Sequence, residues 1–356
     1  MKNSYIIVLL AAVLIISGCI SAQGPLENKT ETPIGGNVTT LPPEPVNISV
    51  PPTSTEKTYS IIDEKLATPG KNPAIAIYNG KLWIAYERFT GSSEDIYVKS
   101  FDGKSFGSDV LIENSDIDDI QPASISYSGN LYIFYTQTVP RSQAATIYYK
   151  IFNGKDWSGK KEVGALESLF YYYNSSAVIY KNDLYLFWTK GKPTDYGFTS
   201  SRLLRGDFWF DGITLTGIAA TTDDKNPQAT LHGKDILVLY ENYIPNGELN
   251  DVYVKKYAGG FWSTAVKLTG ESENKFKSSG SLYSFNGKVY AIWIEQDDLY
   301  MRTSSDGLVW GKIRRLTESD DAEDEPSLME YNGNLYIAFT KYKEGAPFVY
   351  LAKLDG

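Results

Sequence analysis

Three glutamates, Glu87, Glu241 and Glu295, close short apolar runs at corresponding places along the chain. Two carboxyl groups held about 5 to 10 Å apart, one protonated and one ionised, are what glycoside hydrolysis needs across the scissile bond. The same glutamates can instead pair with Lys190 and Lys341. Two further acidic stretches, Asp116–Asp119 and Asp320–Glu325, are rich in oxygen donors. They make Asp118, Asp119, Asp320 and Asp321 candidate calcium ligands, although the spacing matches no defined calcium loop. A run of rings, Phe170-Tyr171-Tyr172-Tyr173, offers flat faces that stack on sugars, or that pack between strands. Other chemistries are excluded by composition. One His and one Cys leave no zinc, haem or disulfide framework. His232 lies in a turn away from these groups, so no Ser-His-Asp hydrolase is expected. A net charge of −9 lacks the basic footprint that phosphate neutralisation demands, which argues against nucleic-acid binding. No cofactor is expected beyond the calcium possibility.

These residues must be positioned by a repeated element. Segments beginning at Pro73, Pro122, Ser175, Pro227, Gly280 and Pro326 each open a short apolar strand, pass a tight turn and enter a second apolar strand. The second strands read KLWIAYE, NLYIFYT, DLYLFWT, DILVLYE, KVYAIWI and NLYIAFT, with spacings of 49, 53, 52, 53 and 46 residues. A period near 40 to 50 residues with several strands per repeat is the signature of propeller blades. Each unit continues to a turn followed by an aromatic: Asp102-Gly103 with Phe106, Asn153-Gly154 with Trp157, Arg205-Gly206 with Trp209, Ala258-Gly259 with Trp262, and Asp306-Gly307 with Trp310. Glycine supplies the positive φ of these hairpins, and the aromatic is placed to plug the space between neighbouring blades. The sixth unit lacks a fourth strand, and Tyr59–Leu66 resembles the strands that fill that place elsewhere. The expected fold is therefore all-β: a six-bladed β-propeller of four-stranded antiparallel blades over residues 58–356, its ring closed by the N-terminal strand.

With first strands running away from one face, the connections between units and the ends of the second strands share that face. It then collects Asn72, Gln121, Asn226, Glu325, Glu87, Arg88 and Tyr171–Tyr173 as candidate ligand-binding residues, with an acidic rim. Asn and Asp also simply start turns, so each is equally explained as a solvated loop residue.

Residues 1–18 read as a signal peptide: Lys2, an apolar run from Tyr5 to Ile16, then small residues. The run is shorter than the roughly 20 residues needed to span a bilayer. Residues 19–57 are rich in Pro, Thr and Asn, with too few apolar residues to fold, and read as an extended tether. Three sequons, at Asn28, Asn37 and Asn47, mark it as an exposed glycosylated stalk.

Two resemblances extend this reading. Ile16-Ser17-Gly18-Cys19 resembles the lipobox of exported lipoproteins, which implies lipidation of Cys19 and attachment by lipid anchor only, on the outer face of an archaeal or bacterial cell membrane. Ser304-Ser305-Asp306-Gly307-Leu308-Val309-Trp310 resembles a shortened Asp-box, and residues 58–356 are similar in architecture to the sialidase-type propellers that carry it. Sialidase activity would imply three arginines gripping a carboxylate, with a Tyr/Glu pair and an Asp acid. Of the seven arginines, only Arg88 and Arg141 come from the shared face, and the Phe/Tyr-Arg-Ile-Pro motif is absent. The expectation is a monomeric, tethered module binding a glycan or surface protein. The alternatives are a glycoside hydrolase or lyase using paired glutamates, and a non-catalytic envelope scaffold.

Overall fold

A computed structural model describes residues 58–356 apart from 139–144, 164–170, 193–194, 206–207, 214, 217–222, 245–248 and 271–276. Of side chains it also leaves out 192, 195–200, 203, 244, 249 and 279. The expected signal peptide and tether with Cys19 and the sequons at Asn28, Asn37 and Asn47, together with Phe170 and Arg141, thus lie outside the described residues.

The described elements are all strands. β1 (Ser60–Pro69) is followed by β2 (Lys71–Tyr78), β3 (Lys81–Phe89), β4 (Glu94–Phe101) and β5 (Val110–Glu113). Next come β6 (Asp119–Tyr127), β7 (Asn130–Thr138), β8 (Ala145–Phe152) and β9 (Lys161–Glu162), then β10 (Tyr171–Tyr180), β11 (Asp183–Lys192), β12 (Asp195–Arg205) and β13 (Phe208–Asp211). The chain continues through β14 (Asp223–His232), β15 (Asp235–Ile244), β16 (Leu249–Ala258), β17 (Phe261–Trp262) and β18 (Val266–Lys267). It ends with β19 (Lys277–Phe285), β20 (Lys288–Glu295), β21 (Asp298–Ser304), β22 (Arg314–Arg315), β23 (Ala322–Tyr331), β24 (Asn334–Lys343) and β25 (Ala346–Asp355).

Antiparallel pairing assembles these strands into sheets in a propeller arrangement. Four sheets stand separately: β2–β5, β14–β18, β19–β22, and β23–β25 with β1. Six separate sheets were the expectation. β6–β9 and β10–β13 instead form one eight-stranded sheet, because Tyr171 of β10 pairs in parallel with Ala145 of β8. The first strands β2, β6, β10, β14, β19 and β23 neighbour one another in that order, and β23 returns to β2. β1 pairs with β25 from Ser60–Asp355 to Pro69–Phe348, so the N-terminal strand completes the last sheet and covers its edge.

The second strands carry the core. β3, β7, β20 and β24 are buried almost end to end, as strands covered on both faces must be. Apolar clusters fill each gap between neighbours: Ile84, Tyr86 and Phe101 meet Tyr336, Ala338 and Leu351, while Ile96 and Val98 meet Ile133 and Tyr135. The aromatics after the outer hairpins pack into these clusters, Phe106, Trp157, Trp209, Trp262 and Trp310 each half-buried.

The Asp-box-like turn is held by its own side chains. Ser304 Oγ accepts from Gly307 N at 2.8 Å and donates to Val309 O at 2.6 Å, while Asp306 Oδ1 accepts from Leu308 N and Val309 N at 2.8 and 2.9 Å. Those two amides hold the Asp306 carboxyl below its usual range. Ser304→Ala leaves the Gly307 amide unpaired, and the expected loss is about 1–2 kcal/mol by urea denaturation. An unchanged midpoint would show that the turn closes without it.

Chain direction sets two unlike ends. First strands start at the upper end, and the loops after the second strands return there. The hairpins joining first to second and third to fourth strands lie at the lower end.

Candidate ligand-binding site

A cavity of about 540 Å³ runs between the first strands at the centre of the ring. Its upper mouth carries Asn72, Gln121, Asn174, Asn226 and Glu325, one from each of five first strands. Each stands immediately before Pro73, Pro122, Ser175, Pro227 or Pro326, and each has φ between 50° and 55°. The ladder slips at the same point in every case: Lys71/Ala74, Ile120/Ala123, Tyr173/Ser176, Lys225/Gln228 and Asp324/Ser327. A bulge with positive φ re-aims a side chain out of the pleat, here into the mouth of the channel. Non-glycine residues in this region are strained, and strain repeated at one position on five strands points to a functional ring.

The buried ends of the second strands support that ring. Glu87, Thr136, Thr189, Glu241 and Thr340 occupy one position on β3, β7, β11, β15 and β24, all at most 1% exposed. Thr189 Oγ1 accepts from Asn226 N at 2.9 Å, and Thr340 Oγ1 from Asn72 N at 3.1 Å, in each case from the following sheet. Asn226 Nδ2 donates to Glu241 Oε1 at 2.6 Å, with Asn250 Nδ2 on the other oxygen at 3.3 Å. Asn72 Nδ2 donates to Glu87 Oε1. The ring side chains also join one another: Asn174 N donates to Gln121 Oε1 at 3.1 Å, and Asn174 Nδ2 to Asn226 Oδ1.

On the other side of the mouth two carboxyl groups meet one asparagine. Glu325 Oε2 accepts from Asn72 N at 2.7 Å and from Thr340 Oγ1 at 2.8 Å. Burial, then the charge of Glu325, pushes Glu87 up to about 8. Burial, then Asp324, pushes Glu325 up to about 7. Glu87 Oε2 is shut off from solvent and has no partner among the described residues. Tyr342, half-buried beside them, is pushed up to about 12 by burial and then by Glu325.

The sequence-derived candidates divide accordingly. Asn72, Gln121, Asn226 and Glu325 come together at the mouth, with Glu87 and Glu241 directly beneath them. Glu295 does not join them. It stands one residue further along its strand, opposite Lys277, and Ile294 takes the equivalent place. Strand alternation turns Glu295 to the other face, where it accepts from Trp293 Nε1 at 3.4 Å. Arg88 is turned away from the channel for the same reason. Its guanidinium bonds Asp109 at 2.8 Å and lies 4.7 Å from the Tyr97 ring centre.

Alternation also splits the tyrosines. Tyr172 is buried at 3% exposure edge-on to Trp188, so it packs rather than binds. Tyr171 and Tyr173 point to the opposite face, and burial with the charges of Asp223 and Glu241 drives the Tyr173 phenol upward.

The calcium candidates do not converge. Asp119 is fully buried, bonded to Ser115 Oγ and to Gln137 Nε2 at 2.8 Å each, and burial lifts it to about 6. Asp118 accepts from Glu94 N at 3.0 Å. Asp320 is exposed, and Asp321 N donates to Ser319 Oγ at 3.1 Å. Among the described residues no three His, Cys, Asp or Glu side chains are grouped to hold a metal ion. His232 bonds Ser284 Oγ and Ser305 O, in the lower hairpin.

Sequence reasoning missed Asn174 and Tyr342. The signal for Asn174 was its place before Ser175, the counterpart of the four Pro positions.

No protein-family model and no curated protein matches this sequence. Solved structures do match the fold. A protein of unknown function from Dyadobacter fermentans superposes with a TM-score of 0.68 at 9% identity, covering 83% of this chain and 99% of that one. The sialidase of Trypanosoma rangeli gives 0.61 at 11% identity over 81% of this chain, which spans only 55% of the sialidase. The GH93 α-L-arabinofuranosidase of Fusarium graminearum gives 0.58 at 12% identity, covering 81% of this chain and 93% of that one. These likenesses, with the closed circle of antiparallel sheets, identify the fold as a sialidase-like β-propeller.

Proposed function

We propose that the protein is a tethered, extracellular propeller that binds a neutral saccharide at the upper mouth of its channel without cleaving it. The observation that carries this reading is the ring of Asn72, Gln121, Asn174, Asn226 and Glu325 lining one cavity of about 540 Å³. Side-chain amides offer a donor and an acceptor together, the pattern that neighbouring sugar hydroxyls require. No Lys or Arg lines the described cavity, which leaves an acidic sugar without a counter-charge. The volume falls within the range of about 300–1,000 Å³ typical of ligand sites.

Hydrolysis is less well supported. Glu87, Glu241 and Glu295 are 1%, 1% and 5% exposed, and Glu87 and Glu241 are covered by the asparagines they hold. They serve the ring as props and do not face a glycosidic oxygen. Among the described residues Glu325 is the one carboxyl group lining the cavity, and a single carboxyl does not make the acid and base pair.

Two features of the wider molecule belong to the same reading. The eight-stranded sheet acts as two blades joined by one parallel pair, which with the four separate sheets makes six, consistent with six neighbouring first strands. Residues 1–57 supply an export signal, a lipid anchor at Cys19 and a glycosylated tether.

The test is incubation of the purified full chain with a broad panel of oligosaccharides, with retention and cleavage scored together by mass spectrometry. Retention of a neutral oligosaccharide without products is the expected result. Cleavage products would overturn the binding reading, and retention of sialylated sugars alone would overturn the neutral class.

A further inference from the structure

The five outer hairpins at the lower end share one position whose residue type the fold does not dictate. It is the residue just before the plug aromatic, at the hairpin tip: Ser105, Asp156, Phe208, Phe261 and Val309. All five are exposed, so none is needed for packing. The first two are polar, as an exposed tip should be. The last three are apolar, and Phe208, Phe261 and Val309 expose 72%, 79% and 74% of their surface. They belong to β13, β17 and the turn after β21, in the three consecutive units whose first strands β10, β14 and β19 are neighbours, so the apolar tips follow one arc of the ring rather than a scatter. Phe210 at 51% and Leu308 at 38% extend it. Large apolar residues exposed on one side of the ring in this way mark a contact surface.

Charge and chain entry say what the contact is. The inner hairpins of the same three units carry exposed Lys181, Lys234 and Lys288, in a chain whose net charge is −9. The carboxylates at the lower end of these units are engaged within the fold, Asp183 by Arg205 at 2.6 Å, Asp235 by Lys256 at 3.2 Å and Asp306 by the amides of Leu308 and Val309. Asp223, Asp224, Asp320, Asp321 and Asp324 begin first strands or precede them, at the opposite end. The covalent link to residues 1–57, with their apolar run Tyr5–Ile16 and Cys19, enters at the lower end as well, where Ser60 pairs with Asp355. We propose that this arc is a membrane-contact surface. Phe208, Phe261 and Val309 insert among lipid headgroups, Lys181, Lys234 and Lys288 face anionic lipid, and the channel mouth points away from the bilayer. Apolar tips flanked by lysines are the composition of interfacial membrane contacts. The proposal stands whether or not the channel binds a sugar.

The test uses the full chain with Cys19→Ser, which leaves an introduced cysteine as the single labelling site. A polarity-sensitive fluorophore is placed at Phe261→Cys or, at the upper end, at Lys343→Cys. Vesicles are equimolar phosphatidylcholine and phosphatidylglycerol, containing brominated lipid as a quencher. The label at 261 is expected to shift to the blue and be quenched, while the label at 343 is unaffected. Adding Phe208→Ser and Val309→Ser is expected to cut that quenching at least fivefold, and pure phosphatidylcholine to weaken it. These exposed positions leave folding intact, and the apolar run near the N-terminus is common to every sample. If the protein sediments with vesicles while the label at 261 stays as water-exposed as that at 343, the proposal is wrong. It also fails if the two serine substitutions leave the quenching unchanged, or if the arc is instead covered by a co-purifying protein.

Discussion

Urea denaturation is expected to show stability falling from about pH 5 to about pH 8.5, and Glu87→Gln is expected to remove the largest single part of that slope. The folded-state carboxyls of Glu87 and Glu325 sit at about 8 and about 7, above the usual 4.5, so across this window the native state holds protons that the unfolded chain has released. Unfolding then releases protons, and stability falls as pH rises. The contribution is complete below about pH 4.5 and is lost as pH passes through the raised values. At about 1.4 kcal/mol per pH unit, Glu87 alone accounts for on the order of 4 kcal/mol. Asp119, lifted to about 6, adds in the same direction at the acidic end. A glutamine at position 87 keeps an acceptor for Asn72 but places an NH₂ where Glu87 Oε2 has no partner. The variant is therefore expected to be weaker than the wild type at about pH 5, by roughly 1–3 kcal/mol, and at least as stable at about pH 8.5. Parallel stability curves for the two proteins would refute a buried, proton-holding Glu87.

Gly70→Ala is expected to be the most disruptive small substitution near the site. Gly70 joins β1 to β2, so it lies where the last sheet passes into the first, two residues before the bulge at Asn72. Its φ is 140°, and a Cβ there would lie 2.7 Å from the Glu87 carbonyl oxygen and 2.7 Å from Tyr86 Cδ2. The carbonyl belongs to a paired strand and cannot give way without moving the carboxyl that supports Asn72. The Gly70 amide also donates to Pro347 O at 3.1 Å, tying the junction to β25. Strain and overlap together put the expected loss at about 3–4 kcal/mol in denaturant. Gly80→Ala serves as the control, since its Cβ meets nothing within 4 Å and only the positive φ opposes it, at roughly 1 kcal/mol. Equal losses at both sites would mean that the junction is not tightly packed.

The repeats were legible because a twice-buried strand can be built only from an unbroken apolar run, and six such runs stand after six turns. Ring closure was legible because the last unit lacked a fourth strand and Tyr59–Leu66 resembled one. Four ring residues were found for a related reason: Asn72, Gln121, Asn226 and Glu325 precede a proline that opens a first strand, and the bulge falls there. The sheet count was not legible, since the single Tyr171–Ala145 pair that joins two units depends on how neighbouring strands approach. The roles of Glu295, Arg88 and Tyr172 failed at the scale of one residue. A shift by one position moves a side chain from one face of its sheet to the other, and only register separates the two. The difference between a catalytic and a supporting glutamate was out of reach as well, because burial of Glu87 under Asn72 is a tertiary fact.

The most direct test of the central claim is isothermal titration of a retained neutral oligosaccharide into the full chain and into Gln121→Ala and Asn174→Ala. Arg88→Ala, whose side chain faces away from the channel, serves as reference. The ring variants are expected to lose at least tenfold in affinity, about 1.4 kcal/mol, while Arg88→Ala binds as the wild type does. Ring variants that bind with unchanged affinity would contradict the assignment of the channel mouth as the binding site.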